Sequence, residues 1–177
     1  MTTLVDQVIA IGAALDESGV EWAFGGALAL AYATSEPRGT RHIEVNIFVP
    51  ASQAAAVFDL LPTGVQHSPS DVAAATRDDQ VQLFWDETPV DVFFAADDFH
   101  VDVATRCRVV PFAGGAIRVL CPEDLAVFKV LFDRPKDWVD IATMMEARSL
   151  DLEVTIERVE ALIGPDARVA RLRALGS

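Results

Sequence analysis

The residues of this chain whose types and spacing can do chemistry are His42, Glu44 and Asn46 at alternate positions, a lone carboxylate at Asp91, Lys129, and the pair Gly25-Gly26. In HIEVNIFV the apolar Ile43, Val45 and Ile47 alternate with the polar three, and side chains on a strand point to opposite faces with period two. One face packs and the other presents His42, Glu44 and Asn46 together. Asp91 interrupts the apolar run PVDVFFA. A buried carboxylate without a partner is costly, so Asp91 either meets a cation or strong donor, or stands on an edge strand facing water. Gly25-Gly26 separates an apolar stretch from an alanine- and leucine-rich one, in the order strand, glycine turn, helix start. Unpaired backbone N–H groups in the first helical turn and the helix dipole attract an anion such as phosphate there. A plain structural turn is the other reading of the same pair.

Taken together, polar strand positions, a glycine turn before a helix and a distant lysine compose a site that holds a nucleoside triphosphate with divalent metal. Nucleotidyl transfer asks for positioned metals, about 3.5–4 Å apart where two are used, and for cations at the leaving pyrophosphate. Side chains two apart on a strand reach the same ion, and a carboxylate from a neighbouring strand completes the cage.

The elements that must position these groups follow from periodicity and breakers. Residues 3–18 place Leu4, Val8, Ile11 and Leu15 at helical spacing. A short buried strand is predicted over 20–24, a helix over 27–33, a loop with Arg38 and Arg41 over 35–41, and the alternating strand over 43–49. A helix over 51–61 stops at Pro62, and 63–79 reads as a polar surface excursion in which His67 faces solvent. Strands over 81–85 and 89–95 form a hairpin, 97–106 a short helix, and 108–112 with 117–120 a second hairpin around Gly114-Gly115. Helices over 122–132, 136–147, 152–163 and 166–175 finish the chain. The expected fold class is α/β (α+β): a mixed sheet core over 1–121 flanked by helices, with a helical cap over 122–177 in a single compact unit.

The chain has 177 residues, 51% hydrophobic and 23% charged, which fits one folded domain and excludes a largely disordered chain. No apolar run approaches the roughly 18–20 residues of a membrane span, and the N-terminus lacks a basic segment before an apolar core, so no membrane partner and a cytoplasmic location are expected. A net charge of -13 excludes a broad basic surface that coats nucleic acid. Any such contact is local, through Arg38, Arg41, Arg77, Arg168, Arg171 and Arg173 if they converge. The two lysines, Lys129 and Lys136, fall in one short segment. Cys107 and Cys121 lack metal or redox spacing and read as buried free thiols.

The blocks GGALALAY, PRGTRHIEVNIFV, TPVDVFF and PEDLAVFKVLFDRPKDWVDI, in that order, resemble the polymerase-β-type nucleotidyltransferase fold, and most of all its small AbiEii/MenT-type toxin branch. The resemblance spans about residues 22–141. It implies that Gly25 and Gly26 contact the triphosphate, that Arg38 and Thr40 are the R-x-T before the metal strand, and that Lys129 reaches the phosphates. Asp91 matches the third carboxylate, which helps bind metal or activates the acceptor hydroxyl. Arg134, Lys136, Asp137 and Asp140 match an R-x-K-D-x-x-D run, with Asp137 and Asp140 equally readable as helix caps or structural ion pairs. Catalytic roles are therefore expected of Glu44, Asp91 and Lys129, nucleotide contacts of Gly25, Gly26, Arg38, Thr40, Lys129 and Lys136, and metal contacts of His42, Glu44 and Asp91.

At the centre the sequence departs from the family pattern, which is D-x-D where this chain has His42 and Glu44. The extra methylene of Glu44 displaces a ligand oxygen, and an imidazole suits transition metals better than Mg2+, so Mg2+ or Mn2+ binding is expected to be weak or altered. Two functions follow. One is transfer of a nucleoside monophosphate from an NTP to an acceptor hydroxyl, either a tRNA 3′ end, with an antitoxin as partner, or an aminoglycoside-like or lincosamide-like small molecule. The other is a nucleotide- or protein-binding module that has lost catalysis.

Overall fold

The computed structural model describes residues 2–37 and 39–176, so Arg38 lies outside the described residues. Helix α1 (Leu4–Ser18) opens on a Thr3/Asp6 capping box and closes at Gly19, whose φ of 73° is the left-handed conformation glycine adopts freely. There follow β1 (Trp22–Phe24), α2 (Gly26–Thr34) and β2 (Ile43–Ile47). A 3-10 turn at Ala51–Gln53 leads into α3 (Ala54–Leu60), then β3 (Val65–Gln66), α4 (Pro69–Asp78), β4 (Gln80–Trp85) and β5 (Thr88–Phe94). After α5 (Asp98–Val103) come β6 (Arg108–Phe112) and β7 (Gly115–Val119). The chain ends in α6 (Pro122–Phe132), α7 (Pro135–Glu146), α8 (Leu152–Ile163) and α9 (Ala167–Ala174).

The seven strands make one mixed sheet in the order β3-β4-β5-β2-β1-β7-β6. β2 runs parallel to β5 and β1 parallel to β7, and the remaining neighbours pair antiparallel. This is the expected α/β class. Directly paired residues share a face, so Trp22, Phe24, Val45 and Ile47 point one way, where α1 lies close enough for Gly12 to meet the Trp22 and Phe24 rings. Glu44, Asn46, Ala23 and Asp91 point the other way, towards the side on which α2 packs against β2, α6 and α7. A single hydrophobic cluster runs from Val8 and Ile11 of α1 through Ile43 and Val90 in the sheet to Trp138, Ile141 and Leu172 of the last helices.

Two expectations need correction. Residues 63–79 are not a mere surface excursion: they hold β3, which pairs with β4, and the ten-residue α4. The signal was there in Ser68-Pro69-Ser70-Asp71, a capping box with proline at the first helical position, and α4 buries Ala75 from the alanine run. Asp91 is not on an edge, because β5 has β4 on one side and β2 on the other. Among the described residues no helix is long and apolar enough to cross a membrane. Cys107 and Cys121 are free, and burial pushes their thiols up to about 12 and about 11, so both stay protonated and unreactive.

Candidate active site

The parallel register of β2 and β5 sets Glu44 directly beside Asp91 and Asn46 beside Phe93. Together with the start of α2 and the end of α6, this face bounds an open cavity of about 880 Å³. Gly25, Gly26, Thr40, His42, Glu44, Asp91, Lys129 and Lys136 all line it, so the described residues singled out by the sequence meet at one place.

The glycine pair has a steric reason. A Cβ on Gly26 would fall 2.2 Å from Glu44 Oε1, and one on Gly25 would fall 2.7 Å from Asn46 Nδ2. Gly26 also has φ +50°, a left-handed conformation that side chains other than glycine seldom adopt. The longer side chain of Glu44 thus lays its carboxylate against the N-terminal turn of α2, where an external anion would otherwise be drawn. Burial pushes the Glu44 carboxyl up, with Asp91 adding to it, while Lys129, Arg134 and Lys136 oppose the rise without cancelling it.

Asp91 is clamped from two sides. Gln82 Nε2 donates to its Oδ1 at 2.7 Å, and His42 Nδ1 stands 3.4 Å from its Oδ2. Sequence reasoning missed Gln82 because strands over 81–85 and 89–95 leave a three-residue link; β5 instead starts at Thr88, the loop is Asp86-Glu87, Trp85 pairs with Thr88, and so Gln82 pairs with Asp91. Thr40 faces the cavity at the entrance to β2, where its hydroxyl donates to His42 O at 2.9 Å and accepts from His42 N–H at 3.1 Å.

Lys129 is 7% exposed and donates to Asp140 Oδ2 at 2.7 Å, with Asp137 Oδ1 at 3.7 Å. Asp137 is a helix cap and an ion pair at once: it accepts from the Arg134 backbone at 3.1 Å and from the Arg134 guanidinium at 2.7 and 3.1 Å. Its burial raises the carboxyl, but the Arg134 bonds and Lys129 outweigh it and hold Asp137 below its ordinary value. Lys136, in the first turn of α7, is exposed and has no carboxylate within ion-pair distance among the described residues.

Metal ligation was expected of His42, Glu44 and Asp91. Among the described residues, no group of three or more His, Cys, Asp or Glu side chains stands close enough to hold an ion. His42 is turned onto Asp91 rather than into such a group. What remains is a register pair of carboxylates, Glu44 and Asp91, on the cavity wall. That donor set fits one hard divalent cation completed by phosphate oxygens and water, since Mg2+ needs only one or two protein carboxylates in such sites. It does not fit a pair of metals caged by the protein.

The arginines considered for an RNA edge are mostly engaged elsewhere. Arg77 pairs with Asp78, Arg168 with Asp166, Arg173 with Glu160, and Arg171 lies 4.1 Å over the Trp138 ring near Asp133. Asp78 and Asp79, which the sequence reading passed over, line the cavity, and Asp78 also lines an adjoining hollow of about 400 Å³ that includes Asp91 and Phe93.

No family model and no curated protein sequence matches this chain. Solved structures do. The antibiotic-resistance factor ANT(2'')-Ia superposes with a TM-score of 0.63 at 18% identity, covering 99% of this chain and 96% of that one. The lincomycin-bound lincosamide antibiotic adenylyltransferase LnuA gives 0.56 at 12%, covering 83% and 99%. An antigenic nucleotidyltransferase-like protein from Paracoccidioides brasiliensis gives 0.54 at 14%, covering 98% and 88%. The fold is that of the nucleotidyltransferases. The likenesses to ANT(2'')-Ia and to the Paracoccidioides brasiliensis protein extend over nearly the whole chain, helices α6 to α9 included.

Proposed function

We propose that this protein transfers a nucleoside monophosphate from an NTP to a hydroxyl of a small cationic acceptor. The observation that carries the reading is the meeting, in one cavity, of the Glu44 and Asp91 carboxylates, the glycine turn and the cations Lys129, Arg134 and Lys136. Gly25, Gly26 and Thr40 line the triphosphate end, with Arg38 expected beside them, and Lys129 and Lys136 meet its charge. Glu44 and Asp91 would hold a single Mg2+ or Mn2+, with His42 contributing through its contact with Asp91. When bound, that cation neutralises charge on the reacting phosphates. The acceptor oxygen forms a bond to the α-phosphorus as the bond to pyrophosphate breaks, and Asp91, fixed by Gln82, receives the hydroxyl proton.

A small cationic acceptor fits a chain of net charge -13 whose cavity carries Asp78 and Asp79 beside Asp91, and whose arginines are largely paired with carboxylates. Two of the similar structures act in the same chemical direction: ANT(2'')-Ia was solved with adenylyl-2''-tobramycin, and LnuA with lincomycin. A tRNA 3′ end with an antitoxin partner, the reading implied by the AbiEii/MenT-like blocks, is the competing acceptor. A second function, a binding module without catalysis, is favoured by Glu44 resting on the glycine turn and by His42 in the metal strand.

The test is a transfer assay with each of four labelled NTPs, Mg2+ or Mn2+, and three acceptor pools: aminoglycosides, lincosamides and total tRNA. Label on a small acceptor, lost in D91N and K129A, is the expected result. Label on tRNA reassigns the acceptor, and NTP binding without transfer to any pool establishes the binding module.

A further inference from the structure

The cavity has more room than a triphosphate and a metal require, and its remaining parts differ in chemistry. One part is acidic, with Asp78 and Asp79 beside Asp91, and suits a cation better than an anionic group. The other is an apolar recess between the sheet and α6, lined by Leu120, Leu125 and Phe128 with two polar groups, Asn46 and His100. Asn46 is 7% exposed, and its single recorded bond is a long one, from Nδ2 to Ala23 O at 3.5 Å. Its Oδ1 accepts no hydrogen bond from the described residues and is open to the cavity, where a ligand N–H can reach it. His100 Nδ1 is 2.7 Å from Asp97 Oδ1, which places a proton on Nδ1 and leaves Nε2 for another partner. The His100 ring also lies 5.0 Å from the Phe128 ring and holds it in place.

We propose that this recess takes the nucleobase, with the base packed against Phe128 and its edge met by Asn46 and His100. The inference rests on the transfer reading above and deepens it by naming the groups that recognise the nucleotide. A flat, neutral heteroaromatic ring suits an apolar wall with few polar groups, which is the usual make-up of small-molecule sites. Ribose and base diverge from the α-phosphate, so the base enters the lobe that the acceptor does not use. The acidic lobe suits the cationic acceptor, and the apolar one is left for the base.

The experiment is calorimetric titration of the full chain with ATP, CTP, GTP and UTP and, separately, with inorganic tripolyphosphate, all with Mg2+. Wild type is expected to bind at least one NTP about tenfold or more tighter than tripolyphosphate, because the base adds stacking and edge contacts. F128L, N46A and H100A are each expected to weaken that NTP by about tenfold while tripolyphosphate stays within about twofold. H100Q, which keeps a polar edge, is expected to recover part of the loss. Equal affinity of wild type for tripolyphosphate and every NTP overturns the base site and leaves the transfer reading standing. So does parallel weakening of NTP and tripolyphosphate in the variants, or no weakening at all. Absence of binding to any of these ligands overturns both.

Discussion

The two ends of α6 treat buried charge in opposite ways. At the first turn, Asp124 is fully buried and answered on every side: Arg106 reaches it at 2.8 and 3.1 Å, Arg158 at 2.8 Å, and the Cys121 thiol lies 3.2 Å away. This joins α6 to α8 and to the segment after α5. At the other end, Lys129 faces a cavity across which Glu44 has no guanidinium bonded to it among the described residues, and its carboxyl is pushed up. The first end is closed on itself; at the second Lys129 is paired with Asp140 but faces a cavity, and the carboxylate there that accepts no hydrogen bond from the described residues is Glu44 on β2. Perturbed groups concentrate at functional sites for this reason, whereas a saturated ion-pair cluster serves packing.

The contrast breaks most visibly at Asp124. D124A leaves two guanidinium groups facing a void, and a stability loss of about 3–5 kcal/mol is expected in urea or thermal melts. Melting within experimental error of wild type would remove the structural half of the comparison. On the other side, D91N is expected to lower transfer by roughly 10²-fold or more, as loss of a proton acceptor does, with little change in melting temperature. A variant that melts early and transfers normally would exchange the two roles.

Asp137 sharpens the boundary, since it touches both Arg134 and Lys129. D137N is expected to lose about 2 kcal/mol at neutral pH, the scale of hydrogen bonds to a charged group. Its folded carboxyl is held low, so the contribution is present above the ordinary aspartate range and fades as pH falls through the folded value. The gap between wild type and D137N therefore closes in acid, and a gap independent of pH would show that packing, not charge, is at stake.

Glu44 has the opposite sign and the smallest expected effect. Its folded carboxyl is raised, so the native state holds the proton more tightly than the unfolded chain, and stability falls as pH rises above the ordinary glutamate range. E44Q removes that burden and is expected to gain about 1 kcal/mol at pH 7, as relief of a strained site residue does. Below the ordinary glutamate range the gain vanishes. A loss of stability in E44Q at neutral pH would show that the three nearby cations already compensate the charge.

Much of this was readable before any coordinates. Alternation over 42–47 separated the packing face from the chemical one, and Gly25-Gly26 marked the turn. The last four helices fell where their prolines, acidic first turns and apolar spacing put them. What was missed had two causes. The box at Ser68 and Asp71 was a local signal left unused, which hid α4, and starting β5 at Pro89 instead of Thr88 shifted the hairpin register, which hid Gln82. The tie between Lys129 and Asp140 had no local signal strong enough to choose between a site role and an ion pair, because which carboxylate an ammonium meets depends on how α6 and α7 pack.

The amino-acid order alone decides what acts within a few residues: caps, turns, period-two and helical spacing, and hence which side chains are available for chemistry. Only tertiary structure sets Glu44 beside Asp91, since these residues belong to parallel strands joined by no tight turn and no short-range rule fixes their register. That register is settled by the arrangement that buries Ile43, Val45, Val90 and Val92 together, and the cavity, its two unlike lobes and the contact of Glu44 with Gly26 follow from it.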